Sequence, residues 1–239
     1  MRIVVVAGTQ IVPRTLHTAG WVNTQEERAY ALTDPDILAE FAGRLCYQSW
    51  ARPNPNTATN RSYLEHILVQ QHYSVLEHAS FSLYVDGVSR SFLAELTRHR
   101  HLSFSVLSQR FVDEWHVDTI TPPALDDRPE LRAELRNLAD HASKAYVQLY
   151  NALTLAGLPR KQAREAARAV LPNATETKLI VTGNVRAWRE VIAKRNSPHA
   201  EAEMQRFAAE VLRILVEWAP NCFQDVFGFE RAQERSDAT

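Results

Sequence analysis

Two cysteines in 239 residues, Cys46 and Cys222, leave little room for thiol chemistry. They stand far apart and form no Cys-x-x-Cys pair, which argues against a disulfide scaffold and against a thiolate zinc site. Cys46 falls on what reads as the apolar stripe of a helix, and Cys222 sits between Asn221 and Phe223. Neither has the cationic neighbourhood that favours a thiolate, so both read as small core residues without catalytic duty. Charge of one sign is also missing. Lys and Arg number 27 against 28 Asp and Glu, a formal net charge of -1, which removes the basic surplus of a general nucleic-acid binder. No stretch approaches the roughly 18 apolar residues of a membrane span. The run Ile3-Val4-Val5-Val6-Ala7 is too short for the core of a signal peptide, so a reducing cytoplasm is the expected home. Internal repeats and low-complexity tracts are absent. What is present, 45% hydrophobic and 23% charged residues, is ordinary for a globular chain with a real core, and residues 1–239 read as one domain.

The positive charge is local. Residues 98–110, Arg-His-Arg-His-Leu-Ser-Phe-Ser-Val-Leu-Ser-Gln-Arg, hold three guanidiniums, two imidazoles, three hydroxyls and no carboxylate. The nearest acids are Glu95 before and Asp113 after, and Arg90 adds a cation upstream. Arginine stays ionised at physiological pH and offers a planar fork suited to phosphate, which serine hydroxyls and backbone N–H groups can complete. Leu93, Leu96, Leu102, Leu107 and Phe111 bound the cluster, so the segment also has to pack. Half-buried like charges are costly unless an anion neutralises them, which points to a small anionic ligand.

Along the chain, residues 2–7 read as a short buried strand from their β-branched run. Asp34 reads as the N-cap of a helix with Pro35 at its first position and an apolar stripe of Ile37, Leu38, Phe41, Ala42, Leu45 and Cys46. Thr59 or Asn60 caps a second helix carrying Tyr63, Leu64, Ile67 and Leu68. The segment from His72 to His78 reads as a helix-to-strand connector. A strand follows with Phe81, Leu83 and Val85 on one side and Asp86-Gly87 as its turn. Residues 89–96 should be helical and run into Arg98, the helix ending near His101, with residues 103–106 extended. On that helix Glu95 shares a face with Arg98 and His99, either to accept hydrogen bonds from a base or ribose or as a plain ion pair. A connector rich in proline and aspartate covers 116–127. A long amphipathic helix over 129–155 shows Leu131, Leu135, Leu138, Ala145, Tyr146 and Leu149 on its apolar face, and Gly157-Leu158-Pro159 breaks it. Arg160, Arg164 and Arg168 form a cationic row on the next helix. Residues 176–182 read as a strand, Asn184 as the cap of a helix burying Trp188, Val191 and Ile192, and residues 200–219 as the last long helix. The charged tail after Phe229 is expected to be loose.

The stretch 98–110 resembles a known signature. Arg-His-Arg, seven residues, then Ser-x-Arg marks the flavin-dependent thymidylate synthases, and Arg98-His99-Arg100 with Ser108-Gln109-Arg110 fits it without a gap. The resemblance extends from about Phe41 to His199. It implies an α+β fold, a small, mainly antiparallel sheet packed against a helical bundle, and a homotetramer whose flavin sites are shared between subunits. It implies reductive methylation of dUMP to dTMP, with methylenetetrahydrofolate as carbon donor, FAD as flavin and NADPH as reductant. For dUMP it implies Arg98, Ser108, Gln109, Arg110 and Arg168, with Glu95, Leu96, Thr97, Val106 and Leu107 beside them. Arg195 corresponds to an arginine set against the uracil ring and is the candidate catalytic group, free to face the base. For FAD it implies His72, Ser74, Glu77, Arg98, His99, Arg100, Val106, Asn184, Val185, Arg186, Glu190 and His199. Three positions depart from the pattern. Val106 stands where many relatives have Glu or Gln, Glu190 where Asn or another neutral or basic residue is common, and Cys46 where relatives have Ser.

Two rivals belong to other classes. A metal-dependent hydrolase would use His72, His78, His99, His101 or His116, but no close His-x-x-x-His pair is present and Glu77 is the one nearby ligating acid. An RNA-binding module would stack bases on Phe104 and Phe111, against which the balanced charge counts. Purified protein that is yellow, with a flavin spectrum, separates the first reading from both.

Overall fold

The inside-outside alternation at residues 80–85 is the clearest strand signal in the chain, and it holds. In a computed structural model, which describes residues 1–21, 32–52, 54–114 and 118–226, Phe81, Leu83 and Val85 are wholly buried. They lie in β2 (Ser80–Ser89), which joins β1 (Arg2–Gly8), β3 (Ser103–Val106) and β4 (Glu176–Asn184) in an antiparallel sheet of order β1-β2-β4-β3. With the helices α1 (Pro13–Thr18), α2 (Asp34–Tyr47), α3 (Asn60–Val69), α4 (Arg90–Leu96), α5 (Pro129–Leu155), α6 (Arg160–Ala167), α7 (Val185–Arg195) and α8 (Ala202–Trp218) the fold is α+β. Among the described residues no helix is long and apolar enough to cross a membrane. Residues 22–31, His116 and the charged tail beyond Phe229 lie outside the described residues.

Contacts divide the chain into two units. The first comprises Met1–Val4, Leu83–Val181 and Arg195–Phe207. Its core sets Leu83, Val85 and Val88 with Leu96, Leu179 and Val181, and Phe92 meets Phe207 edge-on with centroids 5.0 Å apart. Ser89 caps α4: its Oγ accepts from Phe92 N at 2.9 Å and donates to the buried Glu203 carboxylate at 2.6 Å. The second unit comprises Val5–Ser82, Thr182–Lys194 and Ala208–Thr239. There Leu64, Leu76, Phe81, Trp188, Ile192 and Leu215 are buried, and Phe81 packs edge-on against Trp218. Thr59 caps α3 in a capping box with Ser62, and Asn184 Oδ1 caps α7 by accepting from Ala187 N at 2.8 Å.

Several expectations need correction. β1 buries only Ile3, while Val4 and Val6 are exposed, because alternate side chains of a strand point to opposite faces and one face of this edge strand is uncovered. Asp86-Gly87 is no turn: β2 runs on to Ser89, and Gly87 adopts φ +67°, where a Cβ would sit 3.0 Å from Met1 N. The alternation slips by one residue there, the mark of a bulge. α5 keeps its expected bounds, but of its apolar face only Tyr146 is buried. Leu131, Leu138 and Leu149 stay exposed because its packing partner α6 has 8 residues against its 27.

The largest reversal is α2. Its N-cap is Thr33, one residue before Asp34, and its buried face carries charge: Asp36, Glu40 and Arg44 are inside, whereas Leu45 and Cys46 are exposed. Cys46 is therefore not a core residue, although Cys222 is. The polar face is tolerated because α2 itself, the start of α3 and neighbouring loops supply its hydrogen-bond partners. Glu40 takes Arg44 Nε at 2.6 Å, Asn60 Nδ2 at 2.8 Å and Arg52 Nε at 3.4 Å. Arg44 donates onward to Thr57 O and Ser49 O and lies over the Tyr63 ring. Asp36 accepts from Cys222 N at 3.0 Å and Asn221 N at 3.2 Å. Burial nonetheless raises its pKa, with those bonds opposing. Phe41 is kept in place by stacking with Trp50 and meeting Trp21 edge-on. Because Glu40 neutralises a buried guanidinium, Glu40→Ala strands that charge and should destabilise the protein by about 3–5 kcal/mol. Urea denaturation measures it, and a loss below about 1 kcal/mol, the scale of a surface pair, would contradict the role.

Candidate active site

In the first unit, α4 ends where the basic stretch begins. The helix stops at Leu96, short of the expected end near His101: Thr97 caps it and turns the chain, and Arg98, His99 and Arg100 follow before β3. Arg98 and Arg100 are exposed; Arg98 pairs with Glu95 Oε1 at 3.1 Å, the plain intrahelical pair the spacing allowed. Glu95 has a second and firmer partner. Arg195 donates from Nη1 to Glu95 Oε2 at 2.9 Å, from Nη2 to Glu95 O at 3.1 Å and from Nε to His99 Nε2 at 2.9 Å. Because His99 Nε2 accepts, it is the unprotonated nitrogen of that ring. The Arg195 side chain is 15% exposed. Its guanidinium is thus held on one side by Glu95 and His99, which leaves the other side to face a ligand. A guanidinium has five N–H groups and three are used here, so two remain for a ligand.

The turn from Leu107 to Arg110 follows β3, anchored where Leu107 N donates to Lys178 O at 2.9 Å. Arg110 N reaches Ser108 Oγ at 3.3 Å, and Arg110 Nε stands 3.1 Å from Glu165 Oε2, an ion pair without hydrogen-bond alignment. Downstream, Arg164 on α6 donates to Phe111 O and to Asp113, which also accepts from Tyr146 Oη on α5. Gln109 and Arg90 both donate to Glu114, whose side chain is fully buried. Arg168, in the 3-10 turn Arg168–Val170 after α6, is exposed. So is His199, whose backbone N donates to Ser197 Oγ. Leu96 is wholly buried, so any ligand contact from it runs through the backbone.

In the second unit, an open cavity of about 430 Å³ is lined by Gly43, Cys46, Tyr47, Ile67, Gln71, His72, Tyr73, Ser74, Val75 and Arg186. Arg186 pairs with Glu77 and ties the first turn of α7 to the connector before β2. Val185 is buried beneath it, and Glu190 pairs with Lys194 at 2.5 Å. Arg189 was not foreseen. It donates to Cys222 O at 2.7 Å, forms a two-pronged pair with Asp225 and lies over the Tyr73 ring. Glu114, Glu165 and Arg189 were missed because their charged partners Arg90, Arg110 and Asp225 lie tens of residues away. Of the expected flavin residues, His72, Ser74, Glu77, Asn184, Val185, Arg186 and Glu190 belong to this unit. Arg98, His99, Arg100, Val106 and His199 belong to the first. Among the described residues no three His, Cys, Asp or Glu side chains assemble as a metal site, which leaves the hydrolase rival without a ligand set there.

Comparison with known proteins decides the family. The family model described as thymidylate synthase complementing protein matches residues 29–221. The flavin-dependent thymidylate synthase of Mycobacteroides abscessus is 55% identical over 203 residues, 81% of either chain. That of Mycobacterium tuberculosis is 54% identical over the same share. The chain belongs to the flavin-dependent thymidylate synthases. It is therefore an enzyme of that family. A solved structure of thymidylate synthase X from Helicobacter pylori, with FAD and dUMP, shares the fold with a TM-score of 0.61 at 21% identity, covering 89% of this chain and 92% of that one.

Glu95 gives this family member a testable electrostatic mark. Its hydrogen bond from Arg195, then that from Arg98, holds its carboxyl below the usual Glu value. A depressed carboxyl contributes stability that is present above the unfolded value and is lost as pH falls through the folded one. Carboxyl NMR should show Glu95 titrating below the ordinary value of about 4.3, and Arg195→Ala should move it back up. A Glu95 midpoint at or above the ordinary value would contradict the pairing.

Proposed function

We propose that this chain, acting as one catalytic domain over residues 1–239 in the cytoplasm, converts dUMP to dTMP. Methylenetetrahydrofolate gives the carbon and tetrahydrofolate leaves. The observation that carries the reading is the grouping, in one unit, of exposed Arg98 and Arg100 with the Glu95–Arg195–His99 cluster at the end of α4. Exposed Arg98 suits the nucleotide phosphate, exposed Arg100 suits an anionic part of the flavin, and Arg195, fixed and 15% exposed, suits a ring that must become electron-rich.

Arg110 and Arg168 extend the phosphate clamp with Ser108 and Gln109, while Leu107 stands with Glu95 at the base and sugar. Arg195 serves the base. Its two remaining N–H groups favour the deprotonated, electron-rich uracil, while Glu95 and His99 keep the fork from swinging away. Thr97 and Val106 border the nucleotide.

The cavity in the second unit fits FAD by its donor set. Arg186 and His72 match a pyrophosphate, Ser74 offers a hydroxyl, and Ile67, Tyr73 and Val75 give apolar wall. Asn184, Val185, Glu77 and Glu190 stand at the Arg186 end; Arg98, His99, Arg100, Val106 and His199, all in the first unit, are further flavin residues that the family pattern supplies. When bound, the flavin supplies a hydride, and NADPH replenishes it. These residues are too few to enclose so large a group, which supports a homotetramer with shared flavin sites; flavin-loaded protein that sediments as a monomer would refute this assembly.

No protein nucleophile is needed. Burial and the neighbouring Asp36 push the Cys222 thiol well above its ordinary value, which disables it as a thiolate. Cys46→Ala and Cys222→Ala should both keep turnover. Arg168→Ala should weaken dUMP binding by about 1.5–3 kcal/mol, roughly ten- to 150-fold. Arg195→Lys keeps the charge but loses the fork, so it should depress turnover more than affinity. Supplied with dUMP, the folate and NADPH, the enzyme should release dTMP with tetrahydrofolate; dihydrofolate as co-product would remove the flavin's role.

A further inference from the structure

Glu114 lies four residues past the signature and belongs to neither ligand set. It is 1% exposed. Its two oxygens have separate partners: Oε1 accepts from Arg90 Nη2 at 3.0 Å, and Oε2 accepts from Gln109 Nε2 at 2.7 Å. Arg90 Nη2 also donates to Leu107 O at 3.1 Å. Arg90 is itself fixed, as the first residue of α4, with its backbone N on Thr175 O at 3.0 Å. One buried anion therefore ties the start of α4 to the turn at Leu107 and at Gln109.

The pairing also sets the sense of the Gln109 amide. An ionised carboxylate has no proton to donate, so Gln109 must present its NH2 to Glu114 and turn its carbonyl oxygen elsewhere. Water competes poorly here, because the Glu114 side chain is fully buried and breaking its bonds to Arg90 and Gln109 would strand a desolvated carboxylate.

We propose that Glu114 is a positioning residue for the nucleotide: through Arg90 and Gln109 it holds the Leu107–Gln109 turn in the shape that receives dUMP. This rests on the reading of that turn as part of the dUMP site. Glu114 touches no substrate and has no part in the chemistry.

The test is Glu114→Gln in the full-length, flavin-loaded enzyme. The size is unchanged, but a neutral amide lets Gln109 turn over and leaves Arg90 without its counter-charge. The KM and Kd for dUMP should rise about tenfold, the effect of losing one charge-assisted bond, while kcat stays within about twofold and flavin content is unchanged. Glu114→Asp, which keeps the charge, should recover part of the affinity, and it carries the same comparison if Glu114→Gln does not fold. An unchanged dUMP KM, or a fall in kcat and flavin content matching the loss of affinity, would overturn the proposal, since general loosening does not single out one ligand. Arg110→Ala, measured in parallel, separates the two failures. Affinity lost in Arg110→Ala but intact in Glu114→Gln overturns this proposal alone; affinity intact in Arg110→Ala overturns the site reading and the proposal with it.

Discussion

An arginine cannot shed its proton, so a chain that concentrates guanidiniums at one place must supply a matching acid for each or leave it to solvent. This constraint orders both units. Arg195 is matched by Glu95, Arg90 by Glu114, Arg110 by Glu165 and Arg164 by Asp113 in the first. Arg44 is matched by Glu40, Arg186 by Glu77 and Arg189 by Asp225 in the second. Most of these acids come from a different element, so the pairs fix backbone segments as well as charge. The signature stretch, which has no acid of its own, depends on them for its shape.

Much of the fold was legible because burial follows period. Phe81, Leu83 and Val85 alternate and are buried; Trp188, Val191 and Ile192 recur at helical spacing and are buried; Asn184 caps α7 where an Asn should. α2 was misread by the same rule. Its apolar residues do recur at helical spacing, yet the face that turns inward holds Asp36, Glu40 and Arg44. Periodicity reports which face is greasy, and burial follows it only while polar groups lack partners inside. Here Asn60 at the start of α3, and Thr57, Ser49 and the backbone of Asn221 and Cys222 from stretches outside the regular helices, supply those partners.

The candidate site divides in the same way. The arginines of the signature could be seen because they are contiguous. What holds them could not, since Arg195 meets Glu95 across 100 positions and Arg110 pairs with Glu165 on a later helix. A pair of opposite charges at such separations has no pattern to distinguish it from any other pair in a chain with 27 basic and 28 acidic side chains.

Burial then sorts these pairs by what they can do. The Arg98 side chain is 71% exposed and its pair with Glu95 is screened by water, a contact worth little and readily given up. A phosphate arriving there gains a cation at small cost. Glu114 cannot be traded in that way, because its carboxylate is out of reach of solvent and any exchange would strand Arg90. Arg195 stands between the two: three of its donors are committed to Glu95 and His99, and the charge they hold in place still has two N–H groups to offer. Capacity to accept an anion thus resides in the exposed pairs, and the geometry that receives it resides in the buried ones. The same stretch of chain can therefore be strongly cationic and rigidly shaped, although the two demands oppose each other in a segment left to itself.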